Sequence, residues 1–145
     1  METNVFDVAQ YIVNKIGQIS TVKLQKLVYY CQAWSLAWDD EPLFDEEFEA
    51  WASGPVAPKL YEKHRGRYKS PTQFQGANVS HLSENQIDTI DVVLDAYGEK
   101  SPEWLVTSTH MEEPWKEARG DLAEGQRGHN VISKESMLAY YSSLK

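Results

Sequence analysis

Cys31 is the only cysteine in these 145 residues. That excludes an intrachain disulfide and any thiolate metal cluster. No apolar run approaches the roughly 20 residues that a membrane-crossing helix needs. Basic residues are scarce: 14 Lys and Arg face 22 Asp and Glu, for a net charge of −8. Neutralising nucleic-acid phosphates takes a basic face. No long basic stripe exists here, so nucleic acid is not an expected partner. The opening Met1-Glu-Thr-Asn-Val-Phe-Asp7 has neither the basic nor the apolar region of a signal peptide. The cytoplasm is therefore the expected compartment. There is no internal repeat and no linker-like stretch, and the length suits one domain over residues 1–145.

What the chain does have is aromatic side chains, with five Trp and eight Tyr, within an apolar content of 41%. That composition is globular. A chain of this size buries roughly 68–70% of the surface its unfolded form exposes. The rings can fill a core or anchor an interface. The acidic balance favours basic partners.

Helical periodicity dominates the chain. Val5, Val8, Ala9, Ile12 and Ile16 recur at helical spacing behind a capping Thr3 or Asn4, with Gly17 as the stop. Next, Leu24, Leu27, Val28, Cys31, Trp34 or Ser35, and Trp38 form a stripe, while Tyr30, Ala33 and Ala37 lie off it. A helix apolar on most of its circumference belongs at the centre of a fold. Acids at a helix C-terminus oppose the dipole, so Asp39-Asp40 predict an end near Trp38. Phe48 and Ala50 suggest a short strand, and Ser53-Gly54-Pro55 a turn. Pro58 suits the first turn of a helix bearing Leu60, Tyr61 and His64.

Residues 66–82 read as a loop with a short strand near Val79. Ser83 to Gln86 matches a capping box. The helix it opens sets Ile87, Ile90, Val93 or Leu94, and Tyr97 on one face. Ser101-Pro102 opens another, with Trp104, Leu105 and Ser108 facing inward. Pro114-Trp115 begins a short helix, and Asn130 to Ser133 precedes a last one carrying Met137, Leu138 and Tyr141. The expected fold is mostly α (α+β), with about six helices and a small β element. Most of the tryptophans are expected in its core.

Chemistry-bearing residues are few. His110 with Glu112 or Glu113 could serve acid–base or metal chemistry, but zinc takes three or four ligands. His64, His81 and His129 show no ligand spacing. The alternative is that His110 bonds near a helix end with Trp115 packed behind it. Cys31 sits on an apolar stripe, where a free thiol acts as a small hydrophobe. Gly54 to Pro58 could cradle an anion, though two prolines leave few free N–H groups. Lys59, Lys63, Arg65, Arg67 and Lys69 form a modest basic patch at a helix end. Asp39 to Glu49 holds seven acids. They could mimic phosphate against a basic cleft or simply be solvated.

The ordered motifs say more than any single residue. They are Lys23-Leu-Gln-Lys-Leu27, Pro42-Leu-Phe44, Ala50-Trp-Ala-Ser-Gly-Pro-Val-Ala-Pro58, Tyr61, Tyr97-Gly98 with Ser101, and His110 with Pro114-Trp115. Taken in this order they resemble the Panacea domain, the SocA-like antitoxin family of toxin–antitoxin operons and prophages. The resemblance spans about Val5 to Tyr141. It implies a non-enzymatic antitoxin that binds a co-encoded protein toxin, either occluding it or presenting it to a cellular protease. It brings no catalytic residue and no cofactor. A prophage-encoded module acting on a host factor is the alternative, and a small hydrolase a third. On the binding reading the candidate contact residues are Asp45, Glu46, Glu47, Trp51, Tyr61, His110 and Trp115. Tryptophan and tyrosine are the natural hot-spot residues among them.

Overall fold

The computed structural model describes residues 2–145. Those residues form seven α-helices, one short 3-10 turn and a small sheet. The helices are α1 (Val5–Ile16), α2 (Thr21–Asp39), α3 (Pro58–His64), α4 (Glu84–Tyr97), α5 (Pro102–His110), α6 (Glu113–Arg119) and α7 (Lys134–Leu144). The strands are β1 (Phe48–Trp51), β2 (Gly54–Val56) and β3 (Val131–Ile132), in the antiparallel order β2-β1-β3.

Side-chain caps start most helices, each worth about 1 kcal/mol. Asn4 and Asp7 form a capping box on α1, and Ser83 and Gln86 form another on α4. Ser20, Ser101 and Ser133 cap α2, α5 and α7. α2 runs one residue past the expected stop and ends on Asp40 in the left-handed region at φ 57°. Asp39 is tolerated at this end because α4 holds its carboxylate: Asn85 Nδ2 and Thr89 Oγ1 donate to Oδ2 at 3.1 and 3.2 Å.

The sheet departs from the expected pattern in three places. Gly54-Pro55 lies in β2, and the turn falls on Ala52-Ser53. Val131-Ile132, expected only as the lead into a helix, pairs with Glu49 and Phe48 of β1. Val79 belongs to a single 3-10 turn, Val79–His81, not a strand. Gly54 has φ 111°, and a Cβ there would meet Lys26 Cε at 2.7 Å, so a side chain has no room.

α2 packs against α1, α4, α5, α7 and β2. Its core rings are Tyr29 and Tyr30, which meet Phe48 and Tyr141 edge-on, while Tyr30 stacks on Tyr97 at 4.2 Å. Polar side chains are buried here as well, each engaging backbone that lacks a ladder partner. Gln25 accepts from Ala57 N–H at 2.9 Å and donates to Ala57 C=O at 3.3 Å, as a neighbouring strand would. Lys26 Nζ donates to Pro55 C=O at 3.1 Å. Together they close the outer edge of β2, which would otherwise lie buried with unpaired groups. Gln32 does the same for Leu43 N–H and Phe44 C=O, and Gln10 of α1 for Phe74 N–H and Thr72 C=O. Three glutamines thus pin three irregular segments to helices.

The tryptophans are not where the sequence pattern puts them. None is fully buried: Trp34, Trp51 and Trp115 are half-buried, and Trp38 and Trp104 are exposed. The helical stripe that carries Trp38 and the inward face expected for Trp104 both run out to the surface. The periodicity marks a shared face; it does not say that anything covers that face.

Candidate functional site

Two neighbouring regions concentrate side chains capable of recognition or chemistry. The first lies where α5 passes into α6. Glu112 stands at the N-cap position of α6 with its side chain turned elsewhere: its Oε1 accepts from the Tyr30 hydroxyl at 2.8 Å and the Tyr141 hydroxyl at 2.7 Å. Each phenol has one proton, so with both given to Glu112 the remaining contacts run the other way. Ser108 then donates to Tyr30 at 2.8 Å, and Tyr29 to Tyr141 at 3.2 Å. Two phenols, from α2 and α7, therefore meet on one carboxylate oxygen, and a second hydroxyl stands behind each of them. Burial pushes Glu112 above the usual carboxylate range, and the bonds from Tyr141 and Tyr30 partly oppose it. Burial likewise pushes Tyr29, Tyr30 and Tyr141 up, keeping all three neutral. Outward from Glu112 is a groove of about 360 Å³, lined by Trp104, Thr107, Ser108, Met111, Glu112 and Tyr140.

The second region is built on the far end of β1. The Trp51 and Tyr61 rings meet at 4.9 Å, and Trp115 Nε1 donates to Trp51 C=O at 2.9 Å. His110 stacks on Trp115 at 3.9 Å and 12°. Its Nε2 is buried without a hydrogen-bond partner. Burial and the nearby Lys26 hold this imidazole below its ordinary value. A hollow of about 360 Å³ lies beside Trp51, Tyr61, Arg127 and His129, and another of about 440 Å³ beside His110, Trp115 and Arg119.

Of the residues singled out from sequence, Trp51, Tyr61, His110 and Trp115 are thus brought together. The acids are not part of that group. Asp45, Glu46 and Glu47 precede β1, at the end opposite Trp51. Glu46 Oε1 accepts from Val5 N–H at 3.3 Å, and Lys134 Nζ reaches Asp45 C=O at 3.1 Å. Glu47 is exposed. The pairing of His110 with Glu112 does not form as an acid–base couple, because the Glu112 oxygen is committed to the two phenols and His110 packs flat on Trp115. Burial pushes the Cys31 thiol up and makes it a poor nucleophile. Among the described residues no group of three or more His, Cys, Asp and Glu side chains is placed to hold a metal. No helix of those residues is long and apolar enough to cross a membrane.

Sequence reasoning missed Lys26. It is 1% exposed, and burial lowers its pKa from 10.5 to about 7. The signal was its place on α2, flanked by core leucines at positions 24 and 27. It also missed the open face of α5, where Trp104 was expected inside.

The family profile described as Antitoxin SocA-like, Panacea domain, matches residues 24–116, more than half of the chain. No curated protein and no solved structure matches. The matched span takes in the Gln25 and Lys26 pins, the glycine-proline strand they hold, the Tyr30–Glu112 junction and the His110–Trp115 stack. This chain belongs to the SocA-like antitoxin family of Panacea-domain proteins.

Proposed function

We propose that this protein is an antitoxin that neutralises a co-encoded protein toxin by binding it directly, performing no bond-making of its own. The observation that carries the reading is the family match over residues 24–116, which covers every element from most of α2 to the middle of α6. Two physical features support it. The buried glutamines are spent on the fold: Gln10, Gln25 and Gln32 all bond backbone. Aromatic side chains, by contrast, stand at the surface, and exposed tryptophan and tyrosine are the side chains from which protein interfaces draw most energy. Neutralisation then works by masking. A rigid aromatic face covers the toxin's working surface, and affinity depends on hot-spot rings and not on turnover.

Coexpression with the product of the adjacent gene tests this. The neighbour alone should arrest growth, and this protein should restore it and copurify with the neighbour. A neighbour that is harmless alone, or that kills equally with and without this protein, contradicts the reading.

A further inference from the structure

The groove between α5 and α7 is the least explained part of the surface. Trp104 is 44% exposed and Met111 72% exposed. Tyr140 forms the opposite wall, and Glu112 lies between them. On the other flank of α5, Val22, Tyr68, Pro102 and Val106 line a further hollow of about 340 Å³, so α5 stands as a ridge with an apolar depression on either side.

We propose that this groove receives one arginine or lysine side chain of the bound protein, with Glu112 taking its charge and Trp104, Met111 and Tyr140 holding its stem. This rests on the antitoxin reading above. Charge complementarity selects the occupant. Among the described residues no ion pair involves Glu112. An apolar plug would cover a desolvated carboxylate and leave it without a counter-charge, which is costly. A guanidinium would supply that charge while lying flat on the ring walls. The Trp104 face already attracts a cation: Lys100 Nζ lies 4.8 Å from its centroid. Beyond Tyr140 the surface stays acidic, with Glu113, Glu117 and Glu135 around the next depression. A second copy of this chain is a poor occupant, because two molecules of net charge −8 repel.

The test titrates the full-length protein with the purified product of the adjacent gene, at low and high salt. Four variants are compared, each checked for an unchanged thermal melt. Met111→Arg places a repelling cation at the groove mouth, and Glu112→Gln removes the charge but keeps an acceptor for the tyrosines. Each should weaken binding by about tenfold or more. Met111→Glu, which adds an acid at the same site, should stay within about threefold of wild type. Val92→Arg, at an exposed position of α4, should change nothing. Wild-type binding should weaken with salt, and that of Glu112→Gln less so. If wild type and Met111→Arg bind alike, the groove is not the contact, and the antitoxin reading survives. If Met111→Arg and Met111→Glu weaken binding equally, the basic occupant is wrong. If wild type neither binds nor relieves toxicity, both readings fall.

Discussion

On the sheet-facing side of α2, Gln25 and Lys26 are buried and each has a backbone partner; on the outer side of α5 and its C-terminal cap, Trp104 and Met111 are apolar and exposed. Each side reverses the ordinary placement. Buried polar groups persist only when paired, and each pairing here completes an edge or a loop that has no ladder of its own. Contiguous exposed apolar side chains mark interaction sites more often than scattered ones do. The first region is therefore read as architecture and the second as an interface. The two make opposite predictions: substitutions near β2 should change stability, and substitutions on α5 should change binding.

The largest effect is expected from Gln25→Leu. It strands the N–H and C=O of Ala57 and removes the partner of His64, whose Nε2 lies 3.0 Å from Gln25 Nε2. A buried group left unpaired costs about 1–3 kcal/mol. Urea unfolding should show a loss of about 2 kcal/mol or more. An unchanged midpoint would mean that α2 does not hold the edge of β2.

Next comes Lys26. Its pKa falls from 10.5 to about 7 on folding. Between these values the unfolded chain holds a proton that the folded chain has released, so stability rises with pH. The rise begins near pH 7 and stays clean until the unfolded Cys31 thiol ionises near its usual 9.0. The slope approaches about 1.4 kcal/mol per pH unit at most. Lys26→Met should lose that slope. Equal slopes in variant and wild type would show that Lys26 keeps its proton in the fold.

On the α5 side the stability effects should be small. Lys100→Ala removes the ammonium over Trp104 and should cost about 0.5 kcal/mol, close to the lower limit for an exposed cation–π pair. Met111→Arg should move stability by no more than about 0.5 kcal/mol in urea. A large loss there would make Met111 part of the core and blur the contrast.

Local signals were legible in the sequence. Ser83 with Gln86 and Ser101 with Pro102 mark helix starts through contacts that span three residues, and the structure has both. The central place of α2 was legible from its nearly all-round apolar character. What could not be read was whatever depends on distant partners. Gln25 is buried because Ala57, 32 positions away, needs it. β3 pairs with β1 across more than 80 residues, so two residues that look like a helix lead-in become strand. Trp38 and Trp104 keep helical spacing, yet both remain exposed. Of the candidate contact residues, Trp51, Tyr61, His110 and Trp115 were singled out by type and motif order, and they are neighbours in the structure. The acids at 45–47 were proposed for their charge alone, and Glu46 is engaged at the start of α1. Glu112 was noticed only as a neighbour of His110, because nothing local shows that Tyr30 and Tyr141 point at it.

The most direct measurement is hydrogen exchange of this protein, free and bound to the product of the adjacent gene. The account predicts new protection over residues 102–112 and 137–141, where α5 and α7 flank the groove, with residues 54–57 unchanged because α2 already holds them. Protection confined to residues 48–61, or absent from α5, would contradict it.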